Sequence, residues 1–341
     1  MKKIRESNIE LLRIIAMLLV LVVHSDFLAI GNPNIDELTM MPYQTITRFF
    51  CESIAICCVN VFVLISGWFG IRSKVKGALN LLFQCLFFAL VLIVLNLITG
   101  FGDSVKPVAF KLLLMFNWFV VSYFGLFFLS PILNAFIENS SKKVCLTIII
   151  ILLLFEFVFG FATQMAPDFN MGYSILSFVI LYLLARYCNV YKPIITTYSA
   201  ISYILVFGIC VIIHTLVGLA IVKSYIPLTI QNYYNYYNPI VVIQSLSLLL
   251  LFSKLDIQSI AINWVAKSCF AVFLLHTHPY VSSAYLYPFI KNAYFADRGQ
   301  AIFMVLIFVF IVAIILDKIR LQAWNIVLYI IDRFYGRKQY N

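Results

Sequence analysis

The residues best suited to chemistry in this chain are three that a lipid-facing helix does not need: Glu10, Arg13 and His24, inside the run NIELLRIIAMLLVLVVHSD over 8–26. A charged side chain at the centre of a bilayer costs at least about 2.5 kcal/mol on insertion scales, so each such residue marks a site unless something else explains it. Arg13 and His24 are eleven residues apart, which on a helix puts them within about 20° of one another and about 16 Å apart along the axis. Glu10 precedes Arg13 by three residues, the spacing of a helical ion pair. A guanidinium is a fixed, permanently charged donor for anionic groups. An imidazole titrates near neutrality and can take up or deliver a proton. Spacing alone equally fits an Arg13 that snorkels to the inner interface and a His24 that lies at the outer one.

Further polar residues sit in other apolar runs. Glu52, Asn60 and Ser66 share the second run and are expected to face the interior, with Glu52 within reach of Arg48 four residues earlier. His276 and His278 are two apart, about 160° on a helix, so only one of them can face a central cavity; His278 would then meet the outer interface. His214 reads as a hydrogen-bonded structural histidine, and Glu156 stands alone in the fifth run. The tyrosines 233, 234, 236 and 237 lie among asparagines in an outer loop, where sugar stacking and an interfacial aromatic belt account for them equally. The four histidines have no partners at metal-ligand spacing, so no metal site is expected.

The elements that must position these residues follow from composition. Of 341 residues 63% are apolar and 11% charged, and the mean hydropathy is +1.01. Apolar runs of 18 residues or more recur along the chain, and about 20 residues cross the hydrocarbon core of a bilayer. These features predict an all-α, polytopic transmembrane helical bundle of about ten spans, at 8–30, 44–71, 79–99, 112–137, 144–162, 172–190, 198–222, 239–255, 268–290 and 300–319. No repeat or soluble insertion interrupts them, so a single membrane domain over 1–341 is expected. Lys2 and Lys3 precede the first apolar run, but no small-residue cleavage site follows it, and the helix is expected to be retained.

With the N-terminus inside, seventeen of the 24 Lys and Arg residues fall on the inner side and five (Lys106, Lys111, Lys223, Lys291 and Arg298) on the outer, leaving Arg13 and Arg48 in or at the ends of spans. Cytoplasmic loops are enriched in these cations, so both termini are expected to be cytoplasmic. The net charge of +10 is then topological and gives no reason to invoke nucleic acid. The segment LQAWNIVLYIIDRF over 321–334 has apolar residues at helical spacing and predicts an amphipathic helix lying on the inner surface. The eight cysteines read as small apolar core residues.

Four segments, in order along the chain, together resemble the acyltransferase-3 family of membrane O-acyltransferases. They are Glu10-x-x-Arg13 with His24 after ten intervening residues; the stretch Cys58 to Phe69, containing Ser66-Gly67 and similar to the family's Phe-x-x-Ser-Gly pattern; Asn117-Trp118-Phe119 through Tyr123 to Leu129-Ser130-Pro131-Ile132; and Phe273-Leu274-Leu275-His276-x-x-Pro279. The family's loop after the second helix usually carries Arg-x-x-Arg; here it reads Arg72-Ser73-Lys74-Val75-Lys76, which keeps the charge and changes the pattern. The resemblance implies transfer of an acyl group, commonly acetyl from acetyl-CoA, to a hydroxyl of a surface polysaccharide or its lipid-linked precursor. The implied setting is a bacterial cytoplasmic membrane, with acyl-CoA as donor substrate and no permanently bound cofactor. It also implies that His24 serves as general base, or as a covalent acyl relay; that Arg13, oriented by Glu10, faces the donor; and that Arg72, Lys74 and Lys76 hold CoA phosphates, though ordinary positive-inside charge explains that loop as well. Of the two late histidines the resemblance favours His276, and it adds Trp118 to the substrate-facing residues alongside Glu52, Asn60 and Ser66.

A carrier that exports or flips a glycan precursor is the rival reading, since buried polar residues in ten spans also suit transport. Carriers often have related halves, and the second half holds no counterpart of the Arg13 and His24 pair. A scaffold without chemistry leaves these residues without a purpose.

Overall fold

The structure is a computed structural model and describes residues 6–99 and 115–335. It is a polytopic helical bundle. Among the described residues eight helices are long and apolar enough to cross a membrane, and two shorter apolar ones, Ile175–Tyr191 and Pro239–Ser253, stand where the sixth and eighth spans are expected. Lys2, Lys3, Arg5, Lys106, Lys111, Arg337 and Lys338 of the charge tally, with residues 112–114 of the fourth span, lie outside the described residues. The chain forms two compact units, one from residues up to 71 together with 122–263, the other from 72–121 together with 264 onward. The segments of the two units alternate along the sequence.

In the first unit α1 (Ser7–Ser25) is followed by a loop carrying a short α2 (Ile35–Met40), then α3 (Pro42–Ala55) and α4 (Cys58–Phe69). The second span is therefore two helices that meet at Ile56 and Cys57. Asn34 caps α2 through the backbone N–H of Glu37, and Pro42 starts α3 at a position where no backbone donor is needed. α4 ends at Gly70, whose φ of 72° suits a residue without Cβ.

The main part of α6 (Trp118–Asn139), α7 (Lys142–Phe155), α8 (Ile175–Tyr191), α9 (Ala200–Val222), the short α10 (Ile230–Tyr233) and α11 (Pro239–Ser253) complete this unit. Ser141, Ser174, Thr229 and Asn238 cap α7, α8, α10 and α11 with their side chains, which is how these helices start where they do. α1 packs on α3, α4 and α11; α4 packs on α8; α9 packs on α3 and α11. The α4 to α8 contact depends on Gly67, where a Cβ would run into the backbone of Tyr182. Glu156, expected to stand alone, opens a π-helical stretch (Glu156–Ala162) and is buried beside Ser177 and Tyr237.

The second unit contains α5 (Val75–Thr99), the first turn of α6, and α13 (Cys269–Thr277), α14 (Tyr287–Phe295) and α15 (Gly299–Tyr335); α12 (Ile260–Ala266) leads into it. α13 packs on α5 and α15. Here the structure corrects the expected tail. Residues 321–334 form no separate surface helix but continue the last span in one helix of 37 residues, about 55 Å long. The continuation is possible because the charges at the expected break are neutralised internally. Arg320, 2% exposed, donates to Asp317 at 2.9 and 2.8 Å and to Asn80 of α5 at 2.9 Å, and Gln84 of α5 donates to the same Asp317 oxygen at 2.9 Å. Trp324, one turn further on, stacks against Phe83 of α5 at 5.2 Å.

Candidate active site

α1 determines the geometry of the site. Taking a turn of about 100° per residue and Arg13 as the origin, the buried residues Leu12, Val23, Ala16, Ile9 and Val20 fall on one side of it, and Met17, Glu10 and Leu21 on the other. Arg13 and His24 stand at the centre of this buried sector, yet both keep part of their side-chain surface open. Snorkelling to lipid would place Arg13 on the opposite sector, which Leu11, Ile15, Leu18 and Val22 occupy. The two residues therefore lie on the inward-facing side of α1. Glu10 is buried, with Oε2 3.7 Å from the Arg13 guanidinium, as the three-residue spacing predicts.

Both ends of α1 are anchored within the first unit. At the N-terminal end Asn8 donates to the Phe252 carbonyl at 2.9 Å, and the Ser7 hydroxyl accepts from the Ser259 N–H at 3.0 Å. At the His24 end Asp26 caps the helix through its N–H to the Val22 carbonyl. The Asp26 carboxylate accepts from Arg48 Nε at 2.6 Å, and Glu37 accepts from Arg48 Nη1 at 2.6 Å. The third arm of the same guanidinium meets the Gly31 carbonyl. Burial pushes the Asp26 carboxyl up from 3.8 to about 6, with Arg48 pulling the other way.

This arrangement overturns the expected pairing of Arg48 with Glu52. Loop carboxylates 22 and 11 residues earlier take the guanidinium instead, and Glu52 is buried in α3 with its Oε2 unpaired among the described residues. The sequence signal for Asp26 and Glu37 was only an acidic residue just past each helix end or start, a position where charge is common.

Asn60 is fully buried in α4 and donates to the Tyr236 carbonyl at 2.8 Å. The Tyr236 N–H donates in turn to the Met171 carbonyl, and Gly172, with φ of 88°, lies against Tyr236 where a Cβ would not fit. Ser66 is half-buried, bonded to the Phe62 carbonyl and 3.3 Å from the Tyr123 hydroxyl. The tyrosines 233, 234, 236 and 237 are all buried, so they form neither an interfacial belt nor a stacking platform. They knit the 167–172 and 229–238 segments to α3, α4 and α9, with Tyr234 donating to the His214 carbonyl at 2.7 Å. His214 itself is not held by its ring nitrogens, which have no hydrogen-bond partner among the described residues; its ring packs against Tyr233 and Tyr234.

In the second unit His276 is buried, with Nδ1 2.6 Å from the Val272 carbonyl and its ring edge-on to Phe273. His278 does not share that helix. It follows the end of α13, is 2% exposed, and accepts from the Tyr280 N–H, so burial in a turn replaces the expected outer interface. Trp118 opens α6 and stacks edge-on with Phe119, which packs on Phe270 and Phe273. The neighbouring Asn117 bonds both the Val120 N–H and Thr277, so the start of α6 is tied to the turn that carries His276. Arg72, Lys74 and Lys76 are exposed at the start of α5.

An acyltransferase-domain family model, that of the acyltransferase-3 type, matches residues 6–317. The chain belongs to the acyltransferase-3 family. Neither a curated protein nor a solved structure matches it. The match spans both compact units and every candidate site residue from Glu10 to His276, so this membrane-spanning chain is an acyltransferase, and the carrier reading receives no support from it.

Proposed function

We propose that this acyltransferase moves an acetyl group from cytoplasmic acetyl-CoA to a hydroxyl of a cell-surface polysaccharide or its lipid-linked precursor, in a bacterial cytoplasmic membrane. The observation that carries the reading is the placement of Arg13 and His24 at the centre of the inward sector of α1, about 16 Å apart along its axis. His24 takes the proton of the acceptor hydroxyl as its oxygen attacks the thioester carbonyl; the tetrahedral intermediate collapses with loss of the CoA thiolate, and the imidazolium returns the proton to it. Arg13, held by Glu10, stabilises the oxyanion or the bound donor. Arg72, Lys74 and Lys76 supply exposed cationic charge for the CoA phosphates. Asn60, Ser66, Glu52, Trp118 and His276 contribute to substrate binding, with lipid around the bundle and no nucleic acid or metal in the reaction.

Mass spectrometry of surface glycans from cells with and without the gene tests this reading. An acetyl increment that is present with the wild-type chain and missing from the null strain is the expected result. Glycan that accumulates inside the null strain, with acetylation intact on what escapes, would favour export instead.

A further inference from the structure

Arg48 lies outside the residues given a chemical role so far, yet every arm of its guanidinium is engaged. It is 5% exposed and uses all three arms of its guanidinium on three separate oxygens: Asp26 Oδ1, Glu37 Oε1 and the Gly31 carbonyl. Those acceptors span the whole connection between α1 and α2. Asp26 is the residue that caps α1, two positions after His24, and the Ile30 N–H bonds back to the Asp26 carbonyl. Phe27, beside Asp26, packs edge-on against Phe49 at 5.6 Å and Tyr234 at 5.3 Å, and Arg48 lies 5.8 Å from the Phe27 ring. The end of α1 is therefore gripped from α3 at the two residues that lie two and three positions past His24.

We infer that Arg48 is a positioning residue for His24: by holding Asp26, Glu37 and the Gly31 carbonyl together it fixes the last turn of α1 and so the direction in which the imidazole points. The inference rests on the catalytic reading of His24 for its functional consequence. A helix end frays readily because its last carbonyls lack intrahelical partners. A lysine cannot replace the clasp, since one ammonium does not present donors in the three directions that a planar guanidinium covers.

The test compares wild type, Arg48→Lys, the double variant Asp26→Asn/Arg48→Gln and His24→Ala in the full chain. The double variant removes both charges of the Arg48–Asp26 pair and leaves only the half-buried Glu37, at the edge of the loop, without its cation. Two quantities are read on detergent-monodisperse protein: transfer of radiolabel from acetyl-CoA to native membranes, and the rate at which diethylpyrocarbonate modifies His24, followed by peptide mass spectrometry. Both Arg48 variants are expected to lose at least tenfold in kcat with the KM for acetyl-CoA within twofold of wild type, and to change the His24 modification rate severalfold. Wild-type kcat in either folded variant, a defect confined to KM, or an unchanged His24 modification rate overturns the inference. An active His24→Ala chain overturns the catalytic reading instead, while the modification rate still decides whether Arg48 holds the histidine.

Discussion

At the scale of single residues, the placement of Arg13 and His24 turns on one comparison: whether they fall in the lipid-facing or the inward sector of α1. Their spacing was legible in the sequence, as was the Glu10 to Arg13 pair, because helical periodicity is a local property. The partner of Arg48 was not. An Arg and a Glu four apart on one helix suggest a pair, but two carboxylates brought in by the 26–41 loop reach the guanidinium at 2.6 Å each, and no local rule gives the path of that loop. The buried Asp26 makes a prediction about pH. Its carboxyl is held near 6 in the fold and returns to about 3.8 when unfolded, so its contribution to stability is full below about 4 and is lost as the pH rises through 6. The melting temperature of wild type in detergent is expected to rise between pH 7 and pH 5 by more than that of Asp26→Asn, and equal shifts in the two proteins would contradict the assignment.

At the scale of elements, hydropathy located the spans and missed how three of them are built; the one expected over 268–290 ends at Thr277, and the apolar stretch long enough to cross runs over 260–277 instead. The run at 44–71 has neither Pro nor Gly near its middle, so nothing in its composition reveals that α3 stops at Ala55 and α4 starts at Cys58. The last span failed in the opposite direction. Asp317, Lys318 and Arg320 read as the edge of the membrane, but Asp317 and Arg320 pair three residues apart and take Asn80 and Gln84 as further partners, which lets α15 run on. Breaking such a buried pair at one end leaves an uncompensated charge and costs about 3–5 kcal/mol, whereas replacing both members by apolar residues is close to neutral. Arg320→Met alone is therefore expected to lower the melting temperature sharply, and Asp317→Leu/Arg320→Met to recover most of the loss. Equal melting temperatures for Arg320→Met and wild type would show that the pair carries no such weight.

At the scale of the whole molecule, class was the most legible property, since apolar runs long enough to span a bilayer leave few other architectures open. The division into two units was not legible, because the second unit is assembled from segments about 140 residues apart in sequence and no composition shift marks either crossing point. The charge tally makes a global prediction. If the seventeen cations lie inside and the five outside, as that tally expects, a cysteine placed at Ser73 reacts with an impermeant maleimide only in inverted vesicles, and one placed at Lys223 only in intact cells. Labelling of both from the same side would contradict the expected topology.

The proposed division of labour along α1 gives the donor to Arg13 and the acceptor to His24. The direct measurement is steady-state transfer from acetyl-CoA into native membranes by purified wild type, Arg13→Ala and His24→Ala. Loss of a general base is worth about 10²- to 10⁴-fold, so His24→Ala is expected to lose that much kcat with the KM for acetyl-CoA unchanged, and Arg13→Ala to raise that KM. A His24→Ala protein that transfers acetyl at the wild-type rate would contradict the account.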